Sequence, residues 1–194
     1  MWFRVVLYVC AYGLLVGFFL IERFVREGEG TKDMGRGEHD RGSTTLVSVA
    51  MGVAFVVVPL VPLWNWLGVG PVMTWWPGVI GVLLGVVGLI VRYHAFSTLG
   101  RFFTRTLQER DGHELVTTGV YKYVRHPGYL SDILIFAGAA LAMGNVVVLL
   151  VVVVLFAPAY AYRINTEEHM LTGIFGDEYR AYQKTSKRLV PFVF

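Results

Sequence analysis

Two long stretches of this sequence contain no ionisable side chain, and they constrain the fold more than any other feature. Residues 42–91 and residues 133–162 lack Asp, Glu, Lys, Arg and His entirely. A helix of about 20 apolar residues is long enough to cross the hydrocarbon core of a bilayer. The first stretch is long enough for two crossings and the second for a tight pair. The sequence therefore predicts an integral membrane protein.

The composition and the remaining apolar segments extend this prediction to an all-α fold. Of the 194 residues, 55% are hydrophobic and 16% are charged, whereas soluble domains carry about a quarter of charged residues. We predict five transmembrane helices, at residues 2–24, 44–63, 77–97, 127–143 and 146 onwards. The last of these continues past Arg163 into water, and a second amphipathic helix follows Gly176. The whole chain, 1–194, is predicted to be a single membrane domain.

The basic residues indicate the orientation of these helices. Sixteen of the seventeen Lys and Arg residues fall in the first loop, the third connection or the C-terminal tail, with Arg92 counted in the third connection. Only Arg4 falls on the other side. The positive-inside rule then places the third connection and the tail in the cytosol and the N-terminus outside. The net charge of +3 fits contact with anionic lipid, and we expect no nucleic-acid partner.

The dipeptide His126-Pro127 stands where the fourth span is predicted to begin. Proline suits the first turn of a helix, because its missing N–H costs nothing there. The amide groups that follow lie at the positive end of the helix dipole, where a carboxylate or a phosphate binds readily. The dipeptide alone is equally compatible with a simple helix start.

Ionisable side chains also mark the end of the fifth span. Arg163 and Glu167 are four residues apart, so they share one helix face. Such groups are costly at the end of a membrane helix unless they pair or reach water, and they often mark function. A solvated ion pair is the alternative. A metal site built from His113, His126, His169 and a glutamate is conceivable, but the spacings match no usual ligand motif, so we expect no metal.

Three blocks in the second half of the chain resemble the isoprenylcysteine carboxyl methyltransferase family and its phospholipid methyltransferase relatives. The blocks are HELVTTGVYKYVRHPGYLSD, then RINTEEHML, then FGDEYRAYQKTSKRLVPF. Their order and spacing carry the resemblance, which covers roughly residues 101–194. It indicates a small prokaryotic member of archaeal type. Residues 1–97 would hold the first three spans, and residues 98–194 would form the catalytic half, with the last helical hairpin and a cytosolic tail.

The resemblance implies that the cytosolic C-terminal helices form a pocket for S-adenosylmethionine. Carried over by position, the residues expected to bind this cofactor are His113, Glu114, Leu115, Val116, Tyr121, His126, Pro127, Gly128, Tyr129 and Glu167. The resemblance also implies that Arg163 binds the substrate carboxylate and that Arg163 and Glu167 are the catalytic residues. A cofactor contact at Thr106 stays open, because the family often has Gln there.

The implied reaction moves a methyl group to the carboxylate of a prenylated cysteine or a similar lipid-like acceptor, and leaves S-adenosylhomocysteine. A carboxylate with a pKa near ~3.5 is already ionised at neutral pH, so the reaction needs no general base. The expected partners are the lipid-like substrate and membrane lipid. The alternatives are an NADPH-dependent sterol-type reductase, a phospholipid N-methyltransferase and a non-catalytic scaffold. The sequence predicts neither the natural acceptor nor the oligomeric state.

Overall fold

The structure, a computed structural model, describes residues 2–25, 40–100 and 115–190. Within these ranges the chain is helical, and its only β contacts are two isolated bridges. The helices are α1 Trp2–Phe24, α2 Ser43–Val57, α3 Val61–Trp66, α4 Trp75–Leu99, α5 Pro127–Met143, α6 Val146–Phe175 and α7 Asp177–Thr185, with a 3₁₀ turn at Gly119–Lys122. By length and composition, α1, α4 and α6 are suited to cross a membrane, and α2 and α5 are shorter apolar helices. The predicted all-α membrane fold is confirmed.

Most of the predicted helix bounds agree with the structure. Helix α1 covers the predicted first span, and α5 and α6 begin at the predicted residues. Helix α4 is two residues longer at each end than predicted. Helix α7 ends at Thr185, and the residues after it leave the helix to pair with another segment, which the sequence did not indicate.

The prediction of one continuous helix over residues 44–63 is wrong. Helix α2 ends at Val57, and a turn separates it from the six-residue α3. Two prolines explain the break. Pro59 lacks the N–H that an α-helix interior uses, and the ring of Pro62 would clash with the carbonyl group four residues earlier, at Val58. Pro62 instead sits in the first turn of α3, where a proline is tolerated.

Helix α4 packs closely against α5 and α1 because the first part of its buried face carries only glycine. The buried glycines are Gly78, Gly81, Gly85 and Gly88. A Cβ atom at Gly81 would lie 2.5 Å from both the amide nitrogen of Ala142 and the carbonyl oxygen of Gly138 on α5. Small residues allow such backbone contact between membrane helices, where van der Waals packing drives association.

A tight turn joins α5 to α6, as the sequence predicted. Gly144 has a φ of 76°, in the left-handed region that glycine adopts readily. The side chain of Asn145 accepts a hydrogen bond from the amide of Val148 at 3.0 Å and so caps α6. Its Nδ2 donates to the carbonyl oxygen of Val69 at 2.9 Å and to Oδ1 of Asn65 at 2.6 Å. This turn therefore also fixes the segment that precedes α4.

An ion cluster lies inside the helix bundle, near the ends of α1 and α4 and the start of α5. The guanidinium group of Arg92 pairs with Glu22 of α1 and with Asp132 of α5, and it lies over the ring of Phe18 at 4.0 Å. Arg92 is 4% exposed. Its assignment to the third connection was therefore wrong: it is a membrane-helix residue whose charge is balanced by carboxylates on two neighbouring helices.

Candidate active site

Four segments that are distant in sequence meet at one end of the helix bundle. They are the start of α2 (residues 40–44), the start of α5 (126–129), the later part of α6 (163–168) and the segment after α7 (186–188), and hydrogen bonds join each of them to at least one other. The polar cluster that they form is called the α6 site below. It lies at the end of α5 and α6 where the sequence predicted a functional site.

The hydroxyl group of Tyr129 links the two residues that the sequence placed on one face of α6. It donates a hydrogen bond to Oε2 of Glu167 at 2.7 Å and accepts one from Nε of Arg163 at 3.0 Å. Because a tyrosine hydroxyl has one proton, these two bonds fix its direction. Tyr129 therefore sets the positions of a cation and an anion that lie one helical turn apart.

His126 lies between two glutamates of α6. Its Nδ1 is 3.5 Å from Oε2 of Glu167, and its Nε2 is 3.4 Å from Oε1 of Glu168. Burial alone disfavours the charged imidazolium, but the hydrogen bonds and charges of the two glutamates outweigh burial and raise the pKa of His126. The α6 site therefore favours a protonated histidine.

Glu168 connects the α6 site to the end of the chain. Its Oε1 accepts from Nε of Arg125 at 2.8 Å, and its Oε2 accepts from Nε and Nη2 of Arg188 at 2.9 and 2.8 Å. Glu168 is 5% exposed. A carboxylate buried to this extent is stable only with several charge-assisted hydrogen bonds. Glu168 therefore binds both Arg125 and Arg188, and this holds the segment after α7 in place.

Backbone pairing reinforces this connection. The amides of Arg125 and His126 donate to the carbonyl oxygens of Lys187 and Arg188, at 2.8 and 3.1 Å. In return, the amide of Lys187 donates to the carbonyl oxygen of Tyr123 at 2.9 Å. This short parallel pairing satisfies amide groups at the start of α5. It also makes the segment after α7 a wall of the α6 site.

On its other side, Arg163 contacts the start of α2. Its Nη1 lies 3.0 Å from Oδ1 of Asp40 and also bonds to the hydroxyl oxygens of Ser43 and Thr44 at 2.9 and 2.8 Å. Burial alone raises the pKa of Asp40, but hydrogen bonds from Thr44 and Ser43, together with the charge of Arg163, lower it overall. The carboxylate beside Arg163 in the structure is thus Asp40.

The sequence analysis missed Asp40, although a signal was present. An Asp followed by Ser and Thr just before an apolar helix is typical of a helix N-terminus, and here Oδ1 of Asp40 accepts from the amide of Thr44 at 2.9 Å. Asp40 falls in the first loop of the predicted topology, and it was not among the predicted site residues. Its pairing with α6 is non-local, and no spacing rule within one segment could have revealed it.

The remaining predicted residues fall into three groups. Pro127 is buried as the first residue of α5, and the carbonyl oxygen of Gly128 accepts from Ser131 at 2.5 Å, inside the first turn. Tyr121 is half-buried in the 3₁₀ turn, and burial and the charge of Glu167 raise its pKa. Leu115 and Val116 are half-buried in the extended chain before the 3₁₀ turn.

His113 and Glu114 lie outside the described residues, as does Thr106. Of the three histidines in the metal alternative, the structure describes two: His126 is buried and His169 is exposed. Across residues 2–25, 40–100 and 115–190, no group of three or more potential ligand side chains is arranged to hold a metal ion.

Accessibility separates Glu167 from Arg163, His126 and Glu168 within the α6 site. The side chain of Glu167 is 25% exposed, whereas those of Arg163, His126 and Glu168 are 6%, 3% and 6% exposed. A small ligand with a positive group could therefore reach Glu167 without a rearrangement of the fold. Chemically, the site offers an accessible carboxylate, a histidine with a raised pKa and a guanidinium group at the end of a membrane-type helix bundle.

Comparisons with known proteins agree with this description. The isoprenylcysteine carboxyl methyltransferase (ICMT) family matches residues 80–173. Protein-S-isoprenylcysteine O-methyltransferase A of Arabidopsis thaliana is 31% identical over 162 residues, which cover 80% of this chain and 82% of that protein. The corresponding enzyme of Dictyostelium discoideum is 34% identical over 113 residues, which cover 57% of this chain and 46% of that protein.

A solved structure shows the same arrangement of helices. The eukaryotic intramembrane Ras methyltransferase ICMT matches with a TM-score of 0.61 and 26% identity, over 77% of this chain. The match covers 53% of that protein, so this chain corresponds to about half of the eukaryotic structure.

The fold and these comparisons thus define a multi-pass helical membrane protein of a methyltransferase class. The chain belongs to the isoprenylcysteine carboxyl methyltransferase family. The resemblance inferred from the three sequence blocks is confirmed, and these comparisons favour methyl transfer over a sterol-type reductase.

Proposed function

We propose that this protein transfers a methyl group from S-adenosylmethionine to the carboxylate of a prenylated cysteine or a similar lipid-like acid. The single observation that carries the proposal is the linkage of Arg163 and Glu167 through the Tyr129 hydroxyl, at the end of a membrane helix bundle. Two opposite charges are held close together there, which suits one anionic and one cationic reactant.

The donor set of the α6 site fits the cofactor. When bound, S-adenosylmethionine supplies an electrophilic methyl group on a positively charged sulfur. The accessible carboxylate of Glu167 is suited to the ammonium group of its methionyl part. The protonated His126 and the first amide groups of α5 are suited to its carboxylate, because they lie at the positive end of a helix. Tyr129 lies beside His126 and Glu167, and the family resemblance adds Tyr121 to the proposed cofactor contacts. The expected product is S-adenosylhomocysteine.

Arg163 is proposed to hold the acceptor. A guanidinium group presents a planar fork of donors that matches a carboxylate. An acceptor carboxylate with a pKa near ~3.5 is ionised at neutral pH, so the chain needs to position it and not to deprotonate it. Placement of two reactants in line supplies much of the rate enhancement in such a reaction.

The membrane location supports the same proposal. A negative acceptor and a positive methyl carrier lose charge as they react, and such a reaction is favoured where water is scarce. The cluster lies where α6 emerges from its apolar part, so a lipid tail could lie along the bundle while the acid group reaches Arg163. The names of the relatives, which are carboxyl O-methyltransferases, favour this acceptor over a phospholipid amine.

The proposal includes a topology. Five crossings place the α6 site in the cytosol and the N-terminus outside, as the distribution of Lys and Arg predicts. Helix α2, with 15 residues, spans about 22 Å, and α3, with six, adds about 9 Å. Together they match a hydrocarbon core of about 30 Å, so the two helices can form one broken crossing. Residues 98–194 would then be the catalytic half of a single domain.

The proposal is tested with purified protein in detergent. Calorimetry should show binding of S-adenosylhomocysteine and no binding of NADPH, and labelled S-adenosylmethionine should transfer its methyl group to N-acetyl-S-farnesylcysteine. Transfer to phosphatidylethanolamine instead would replace the acceptor in this proposal. Binding of NADPH without S-adenosylhomocysteine would favour the reductase, and binding of neither would favour a scaffold.

A further inference from the structure

Three aromatic rings form a stack behind the charged groups of the α6 site. The ring of Tyr129 lies between those of His126, at a centroid distance of 5.6 Å and an angle of 13°, and Tyr160, at 5.1 Å and 26°. The first two residues belong to the site already described. Tyr160 is a buried residue of α6, and neither the sequence blocks nor the charge pattern singled it out.

The hydroxyl of Tyr160 is fixed on the side away from the charged pair of the site. It donates to Oδ2 of Asp132 at 2.8 Å and also lies 3.5 Å from the sulfur of Met51. Asp132 is in turn held by Arg92, so the ring of Tyr160 is tied to the ion cluster that joins α1, α4 and α5. This buried polar network therefore ends at the ring of Tyr160.

This connection has a consequence for Tyr129. Its hydroxyl bonds to Arg163 and Glu167 at the same time, so a small tilt of its ring would lengthen at least one of the two bonds. The ring of Tyr160 occupies one of its two faces and cannot tilt without breaking the bond to Asp132. The buried cluster thus limits the movement of the residue that aligns the reactive pair.

We infer that Tyr160 is a positioning residue for methyl transfer, with Asp132 as its anchor, and that it acts by holding Tyr129 in the direction that serves Arg163 and Glu167. This inference rests on the proposed function. It assigns no contact with substrate to Tyr160. Its physical basis is that a displacement of a positioning group by a fraction of an ångström lowers the rate of a reaction that depends on alignment.

A double-mutant cycle tests the inference. Tyr160→Phe keeps the stacked ring and removes the bond to Asp132, and we expect kcat to fall about 10-fold on the scale of small misalignments. Tyr129→Phe removes the hydroxyl that Tyr160 is inferred to hold in position, and we expect a larger fall in kcat. If Tyr160 acts through Tyr129, the double variant should be no slower than Tyr129→Phe alone, because the effects of residues that act as a unit are not additive.

The matched control is Tyr8→Phe. Tyr8 also contributes a hydroxyl to a side-chain hydrogen bond, from Asn65 at 3.1 Å, but near the opposite end of the bundle. Loss of the Tyr8 hydroxyl should leave kcat unchanged. In the Tyr8→Phe, Tyr129→Phe double variant, kcat should therefore fall only as far as in Tyr129→Phe alone, and any effect on stability should be additive. Thermal unfolding of every variant separates a loss of folded protein from a loss of rate.

Two outcomes would overturn the inference while leaving the proposed function intact: multiplicative losses of kcat in the double variant, or an unchanged kcat in Tyr160→Phe. If the native protein transfers no methyl group to the acceptor, the proposed function fails instead. The Kd of S-adenosylhomocysteine is then measured for the same four proteins, because Tyr129 also holds Glu167. Additive changes in binding free energy would contradict the inference.

Discussion

Arg163 and Asp40 are separated by more than a hundred residues in the chain, yet Nη1 of Arg163 lies 3.0 Å from Oδ1 of Asp40. This contact joins α6 to the start of α2, and it gives the proposed acceptor-binding arginine a carboxylate partner within the protein. Asp40 has two tasks, since the same oxygen also accepts the amide of Thr44. The two tasks can be separated by mutation.

We expect Asp40→Asn to cost less stability than Asp40→Ala. Asp40 lies two residues before the N-cap Gly42, but its side chain accepts from a first-turn amide as a capping side chain does. Asparagine can keep this hydrogen bond, whereas alanine loses it, and the loss of such a bond costs about 1 kcal/mol. Asparagine still removes the charge that faces Arg163, so both variants should destabilise the protein to some degree. Thermal unfolding in detergent measures the difference, and equal losses for the two variants would show that the contact with Thr44 contributes nothing.

The stability of the protein should depend on pH through His126. Its pKa is raised above the ordinary value of 6.5, so the folded state binds the proton more tightly than the unfolded chain does. The stabilisation is therefore fully present below pH 6.5 and is lost as the pH rises through the folded pKa. We expect the difference in Tm between native protein and His126→Gln to shrink as the pH increases above neutrality. A difference that grows with pH would contradict the assigned charge state.

The two adjacent glutamates should respond differently to the same substitution. Glu168 is almost fully buried and holds Arg125 and Arg188, so Glu168→Gln should destabilise the fold by roughly 3 kcal/mol, as expected when a buried ion pair is broken. Glu167 is more exposed, and Glu167→Gln should mainly weaken the binding of S-adenosylhomocysteine. Unfolding and calorimetry of both variants test this division. The reverse pattern would exchange the two roles.

The glycine face of α4 predicts a further difference. In Gly81→Ala, the new Cβ would lie 2.5 Å from backbone atoms of α5, so the helices must separate, at a cost of about 1–3 kcal/mol. Gly52→Ala on α2 is the matched control, because a Cβ there meets nothing within 4 Å, and it should be neutral or stabilising by about 0.5–1 kcal/mol. If both variants have the same Tm as the native protein, the result contradicts the close packing of α4 on α5.

The sequence predicted the features of this fold that depend on one segment at a time. Apolar length located α1 and α5, and Gly144 with Asn145 predicted the turn between α5 and α6. The break between α2 and α3 was also encoded locally, by Pro59 and Pro62, but a long apolar run was given more weight than the proline rule.

Pairings between segments could not be predicted in this way. Arg92 was counted with the third connection although it lies within the helix predicted over residues 77–97. Only the structure shows that Glu22 and Asp132 pair with it and offset the cost of a charge in a membrane helix. Of the predicted site residues, His126, Tyr129, Arg163 and Glu167 come together in space. Their proposed roles in binding came from the family resemblance, and they stay predictions.

The most direct test of the account is steady-state methyl transfer to N-acetyl-S-farnesylcysteine by native protein, Arg163→Ala and Glu167→Ala. Each substitution removes one charge of the aligned pair, and we expect kcat/KM to fall by about 100-fold or more in each, on the scale of lost positioning. For Arg163→Ala, the loss should appear in the kinetics with respect to the acceptor. For Glu167→Ala, it should appear in the Kd of S-adenosylhomocysteine. Full transfer by both variants would contradict the account.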